Sequence, residues 1–244
     1  MATDGPNDNV SLEVTEGVAH VRLEDPDNYN VFSLPLAEDL LTHLLAVDDR
    51  EDVSAVALTA EGDAFCAGLD IDVLTGDDPE ARERLLGYLD AVGSWLYTSE
   101  YPVVAGARGP APGAGAILVS KADLRVLGEG TELWWPEIQF GLKAYGEAAD
   151  LVAAVGAPKA TEIMLMGEDA KVTAEEARRL GLANRVTAPD EVDGTVREMA
   201  ATIAGYDQDG LVSEYLEVIQ HARRELNGAS TVHAEALETD IDHP

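Results

Sequence analysis

The amino-acid sequence predicts an α/β core with helices packed at one end. Three observations carry that expectation. Short β-rich apolar segments alternate with stretches of helical periodicity through the first half of the chain. Almost every segment from Tyr145 onward has helical spacing. At 46% hydrophobic residues, the 244-residue chain can also fill a core. That length fits one large domain, or one with a smaller helical appendage.

Residues 1–9 form a polar leader with Asp4 and Asp8, no basic residue and no apolar block; it is expected to be flexible and not a signal peptide. Residues 10–14 and 18–23 read as strands joined by a turn at Glu16-Gly17, and Asp25-Pro26-Asp27-Asn28 opens a loop. Leu36, Leu40, Leu41, Leu44 and Leu45 have helical spacing, with Pro35 tolerated in the first turn. Residues 53–59 suit a buried strand, and 80–99 a helix with Leu85, Leu86, Leu89, Val92 and Leu96 on its apolar side. The logic then repeats: a strand at 103–107, a small-residue loop at 109–115, a helix at 115–121, and strands at 124–127 and 132–134. Helices follow at 147–155, 159–166, 174–180, 192–203 and 211–226. Thr173 and Glu176 form a capping box, and Gly181 ends the helix they start. The expected division is a core over 10–190, a C-terminal helical region over 191–228 and an acidic, partly mobile tail over 229–244.

Charge is the loudest compositional signal. Forty-seven acidic residues against sixteen basic ones give a formal net charge of -31, with the acids spread along the whole chain. Only four of the basic residues are lysines (Lys121, Lys143, Lys159, Lys171). Such a chain repels itself in dilute buffer, whereas at molar salt the Debye length shrinks to about 3 Å. The expectation is a cytoplasmic protein adapted to a salt-filled interior, of the kind halophilic archaea maintain. Without a basic stripe, nucleic acid is excluded as a partner. No apolar run approaches the length of a membrane span. The single Cys66 excludes an internal disulfide and a cysteine metal cluster, and the five histidines lack metal-ligand spacing.

Two loops carry the chemistry. Asp63-Ala64-Phe65-Cys66-Ala67-Gly68-Leu69-Asp70 follows one buried strand, and Gly109-Pro110-Ala111-Pro112-Gly113-Ala114-Gly115 follows the next. Gly68 permits a tight path that can point the Leu69 N–H into a cleft. The small residues of the second loop let a ligand touch main chain at the start of a helix, where free N–H groups favour developing negative charge. Two such groups aimed at one oxygen form an oxyanion hole. A dinucleotide loop competes for Gly113 and Gly115, but two prolines interrupt it and no complete Gly-x-Gly-x-x-Gly is present.

Residues 63–72 resemble the Ala-Phe-Cys-Ala-Gly-x-Asp signature of the enoyl-CoA hydratase/isomerase (crotonase) superfamily, and 108–118 resemble its second oxyanion loop. Asp25-Pro26 through Asn30 is similar to an early Arg-Pro-x-x-x-Asn-Ala segment. Pro136-Glu137 with Gly141 is similar to Pro-Glu-x-x-x-Gly, and 174–186 to a late Ala-x-x-Ala-x-x-x-Gly-Leu stretch. These matches run in order over roughly residues 10–205.

The resemblance implies a crotonase-like spiral of β-β-α units with a helical C-terminal region, assembled as a homotrimer or a dimer of trimers through the C-terminal helices. It implies an acyl-CoA thioester as substrate, coenzyme A as part of that substrate, no tightly bound cofactor and no metal. The oxyanion donors would be the N–H groups of Leu69 and Ala114, and Glu137 the catalytic carboxylate. Phe65, Ala67, Gly68, Asp70, Ile71, Gly113, Ile117, Trp135, Lys143 and Tyr145 would contact the acyl group or coenzyme A. Family hydratases carry a second glutamate where this chain has Ile117. That departure favours a double-bond shift with one proton shuttle over concerted water addition. A hydratase, lyase or thioester hydrolase using Lys143 or Tyr145, and a non-catalytic acyl-CoA-binding subunit, remain as alternatives. Where relatives place a cation for the phosphates, this chain has Asp70 and Asp72; Arg22, Arg223 or Arg224 would have to substitute.

The charge yields a direct expectation for solution behaviour. The melting temperature should rise between about 0.1 M and 2 M KCl as screening relieves acidic repulsion. A flat or falling curve in a thermal-denaturation series across that range would contradict salt adaptation.

Overall fold

The computed structural model describes residues 7–207 and 210–238; the side chains of Tyr145 and of residues 227–238 lie outside that description. Strands β1 (Val10–Thr15) and β2 (Val18–Leu23) form an antiparallel hairpin. Its turn residues, Glu16 and Gly17, both have positive φ, the mirror-image turn geometry that suits a twisted hairpin. Helix α1 (Leu34–Asp48) starts at Ser33, whose hydroxyl accepts the Leu36 N–H, and buries Leu36, Leu40 and Leu44. The buried Asp39 on this helix accepts the main-chain N–H groups of Asn7 and Asn9 at 3.0 and 2.9 Å.

After β3 (Ala55–Ala60) come a short α2 (Ile71–Thr75) and the long α3 (Pro79–Thr98). The next unit is β4 (Val103–Ala107), β5 (Pro110–Pro112), α4 (Ala114–Lys121), β6 (Leu124–Gly128) and β7 (Glu132–Trp134). Helices α5 (Tyr145–Val155) and α6 (Ala157–Met166), strand β8 (Val172–Thr173), helix α7 (Ala174–Leu180), strand β9 (Arg185–Thr187), and helices α8 (Val192–Ala204) and α9 (Leu211–Glu238) complete the chain. No helix among the described residues is long and apolar enough to cross a membrane.

The main sheet has the order β1-β2-β3-β4-β6-β9, parallel from β2 onward. Side chains on β3 alternate between two cores, as the period of two requires. Val56, Leu58 and Ala60 face the larger core under α1, α3 and α4. Ala55 and Ala57 face a smaller one built with Val192, Val196 and Ala200 of α8. Both faces are therefore covered, and the loops at the carboxyl ends of β3 and β4 remain as the ligand-facing rim.

Three features depart from the sequence reading. The segment 109–115 is not only a loop. It contains β5, which pairs in parallel with β7 in a second sheet of order β5-β7-β8. The two prolines concealed this strand. The capped α2 and the short β8 and β9 were also absent from the periodicity. Helix α9 runs beyond 226 to Glu238, so the start of the segment read as a weakly patterned tail is helical; residues 239–244 lie outside the described residues.

The scarce cations serve as internal clamps. Arg108 donates to the carbonyls of Ala60 and Gly62 and pairs with Asp193 at 3.1 Å, tying the first loop to α8. Arg125, half-buried, donates to the carbonyls of Ala122 and Leu182, and desolvation pushes its guanidinium down to about 10.

Candidate active site

The two glycine loops lie against each other, main chain on main chain. A Cβ on Gly109 would stand 2.2 Å from the carbonyl oxygen of Asp63, and one on Gly115 would stand 2.2 Å from that of Cys66. No side chain fits either gap. The Phe65 N–H also donates across the junction to the Arg108 carbonyl at 3.1 Å.

A third segment braces the first loop from behind. The buried Asn30, held at positive φ, accepts the Asp25 N–H and donates to the carbonyls of Glu61 and Ala64 at 2.8 and 2.9 Å. Phe32 donates to the Gly68 carbonyl and accepts from the Asp70 N–H. This bridge pattern uses the residues on either side of Leu69 and turns the Leu69 N–H away from Phe32. On the other loop, Ala114 is the first residue of α4, where an N–H has no partner within the helix. Neither N–H donates to an acceptor among the described residues.

β5 explains how Glu137 arrives beside them. The Gly113 N–H donates to the Trp134 carbonyl at 2.9 Å, locking the second loop to the strand that leads into Pro136-Glu137. Gly113 has φ 49° and ψ −113°, and a Cβ there would lie 3.5 Å from Glu137 Oε1. The carboxylate therefore lies against Gly113, the residue that precedes Ala114. Glu137 opens a single 3-10 turn closed by Gly141 in the left-handed region. It is buried, and Oε2 has no hydrogen-bond partner among the described residues. Burial, reinforced by the negative charge of Glu147, pushes its pKa up to about 7.

Two chambers meet at Leu69, Glu137 and Leu142. The first, about 300 Å³, is bordered by Ala67, Gly68, Ile71, Gly113, Ala114 and Trp134 among others. The second, about 580 Å³, runs between α3 and α4 past Ile117 and Lys121, with the exposed Lys143 at its edge. Of the residues singled out from sequence, Glu137, Leu69, Ala114, Ala67, Gly68, Ile71, Gly113, Ile117 and Lys143 thus converge.

Others do not. Trp135 is fully buried in the core, and it is Trp134, stacked under Lys171 at 4.3 Å, that walls the first chamber. Phe65 likewise faces the core. Asp70 caps α2, accepting from Asp72 and Val73, and does not line either chamber. The Tyr145 side chain lies outside the described residues. Arg223 points inward to Asp123 and the Tyr97 carbonyl, so it is not available for phosphates. Arg22 pairs with Glu61 at 3.8 Å. Cys66 is buried and its thiol is pushed up to about 12, which makes it a packing residue.

The sequence profile of the enoyl-CoA hydratase/isomerase family matches residues 13–240. The chain belongs to that family. A Thermus thermophilus protein named "Putative enoyl-CoA hydratase" is 35% identical over 199 residues, covering 79% of this chain and 77% of its own. A rice protein named "Peroxisomal fatty acid beta-oxidation multifunctional protein" is 30% identical over 231 residues; the match covers 88% of this chain but 31% of that longer one. Among solved structures, an enoyl-CoA hydratase/isomerase from Xanthobacter autotrophicus superposes with a TM-score of 0.83 at 28% identity, covering 95% of this chain and 86% of the other. The crotonase-like fold follows, and with it an acyl-CoA-processing enzyme of the hydratase/isomerase family.

The raised Glu137 carboxyl has a stability signature. A carboxyl whose folded pKa lies above its ordinary value stabilises the fold fully below the unfolded pKa, near 4.5, and that stability is lost as pH rises through about 7. Glu137→Gln has no such titration. The stability advantage of the variant over the parent should therefore grow between pH 5 and pH 8, by up to about 3 kcal/mol. A pH-independent difference in denaturant titrations would contradict the assignment.

Proposed function

We propose that this family member shifts a double bond in enoyl-CoA thioesters, using Glu137 as its single proton shuttle. The observation that carries the reading is the pairing of a buried, near-neutral-pKa Glu137 with Ile117 at the place where a second acid would act. In this reading the thioester oxygen lies between the N–H groups of Leu69 and Ala114. The Glu137 carboxylate removes a proton from C2 of a 3-enoyl thioester. The electron pair delocalises onto the thioester oxygen as an enolate. The same carboxyl then returns the proton at C4, leaving the double bond between C2 and C3. A buried isoleucine neither orients water nor exchanges a proton. The hydratase names of several relatives favour the second reading, addition of water to a 2-enoyl thioester.

Parallel assays with 3-enoyl-CoA and 2-enoyl-CoA at high KCl separate these readings. Isomerisation should dominate, with kcat/KM falling as pH drops below about 7 because the base must be ionised. Glu137→Gln should reduce it by about two to four orders of magnitude. Hydration as the main activity would overturn the isomerase reading, and unchanged activity in Glu137→Gln would overturn the shuttle. Turnover of neither substrate would favour a non-catalytic acyl-CoA-binding subunit.

Assembly is part of the same proposal. Helix α9 has two faces. Leu216, Gln220 and Arg223 face their own subunit, with Gln220 donating to the Ser99 carbonyl. Leu211, Tyr215, Val218, Ile219 and Leu226 remain exposed along the outer face. Leu216, although spaced like Leu211, Tyr215 and Ile219 in the sequence, is buried against its own subunit. We assign the outer stripe to a homotrimer or dimer of trimers, with salt offsetting repulsion between subunits. Light scattering at about 2 M KCl should give the oligomer, and Tyr215→Glu combined with Ile219→Glu should yield smaller species. A parental monomer would refute the assembly.

A further inference from the structure

The second chamber has a chemical gradient along its length. On α4, Ala114, Ile117 and Lys121 share one helical face, so the path from the oxyanion donor to Lys121 covers about 10 Å of helix rise. On α3, Leu86, Leu89, Gly93 and Tyr97 line the facing wall. The walls join apolar Leu69, Ile117 and Leu142 beside Glu137 to a charged cluster of Lys121 and Glu147 under Tyr97, with Glu147 near enough to Glu137 to reinforce its raised pKa. Gly93 keeps the passage open. It sits in the interior of α3, where glycine costs about 1 kcal/mol relative to alanine. The atoms nearest to a Cβ there would be Lys121 Cε and Cγ, at 3.9 and 4.0 Å. Close backbone packing therefore does not require the glycine.

The polar end is held in place. Lys121, only 14% exposed, is ion-paired to Asp150 and, at 3.8 Å, to Glu147. Its ammonium stands 5.2 Å from the centre of the Tyr97 ring, and the same ring carries Arg223 at 3.9 Å. An ammonium has three donors, of which the two carboxylates take at most two. A plain alkyl end lodged here would displace water from Lys121 and Glu147 without replacing its hydrogen bonds. Asp90, Glu147 and Asp150 outweigh Lys121 and Lys143 around this chamber, and Arg223 is offset by Asp123, so a ligand carboxylate is repelled while a neutral oxygen can accept from Lys121.

Building on the acyl-CoA reading of the site, we propose that the substrates are acyl thioesters whose chain ends in a neutral hydroxyl or ketone oxygen, with Lys121 as the specificity-determining residue. Calorimetric titration at about 2 M KCl with four saturated, unreactive thioesters tests this: butyryl-CoA, hexanoyl-CoA, ω-hydroxyhexanoyl-CoA and adipoyl-CoA. The ω-hydroxy thioester should bind about threefold to tenfold more tightly than hexanoyl-CoA, the gain expected from one hydrogen bond, and adipoyl-CoA most weakly of the six-carbon chains. Lys121→Met should abolish the ω-hydroxy preference. Gly93→Val, which narrows the passage, should weaken both hexanoyl thioesters several-fold more than butyryl-CoA. Equal or tighter binding of hexanoyl-CoA in the parent overturns the inference, as does a Lys121→Met protein that keeps the preference. The parent comparison and Gly93→Val decide the matter even where Lys121→Met does not fold. Binding of butyryl-CoA without any ω-hydroxy preference removes this inference alone. Binding of none of the four removes the acyl-CoA reading with it.

Discussion

The site depends on the contact between two stretches of backbone. Gly109 and Gly115 remove the side chains that would hold the loops apart, and the carbonyls of Asp63 and Cys66 fill the space. Everything else in the site follows from that approach. The Leu69 and Ala114 N–H groups can converge because their loops touch, and Asn30, Phe32 and Arg108 hold the first loop from three directions. Two main-chain donors held in this way would need no rearrangement if charge developed on a bound oxygen.

The second constraint is the cost of keeping an acid where water is scarce. Glu137 sits in a wall of Leu69, Leu142 and Ile117 with one oxygen unpartnered, which raises its pKa and makes the ionised form unfavourable in the folded chain. A fold selected for stability alone would place an apolar residue there. The same unfavourable environment brings proton affinity close to neutrality, where a group can both take and return a proton.

Much of this was legible in the sequence, for reasons that are local. The strand–loop–helix order follows hydrophobic period, the two loops follow glycine position, and Glu137 and Ile117 stand out against neighbouring motif residues. The parts that were not legible depend on partners distant in sequence. Proline normally argues against a strand, so β5 was hidden, although an edge strand tolerates proline and the Gly113 N–H just beyond it still donates to β7. Trp134 and Trp135 differ by one residue and thus by the face they present, and periodicity over three residues cannot assign that face. Asp70 before a run of helix formers is a capping signal that was present but read as a ligand contact. The polar end of the second chamber was illegible because Lys121, Asp150 and Tyr97 come from three separate helices.

The internal arginine clamps bear on the electrostatic character of the whole molecule. Arg82, Arg108, Arg125 and Arg223 all direct guanidinium N–H groups at main-chain carbonyls, a task suited to a rigid planar fork. Arginine outnumbers lysine twelve to four in this chain, and the clamps give part of that bias a structural reason. Drawing cations inward also leaves fewer of them to pair with the acids outside. The molecule approaches a polyelectrolyte with a cationic skeleton and an anionic skin. An arginine-to-lysine exchange at a clamp would conserve net charge yet loosen the framework beneath that skin.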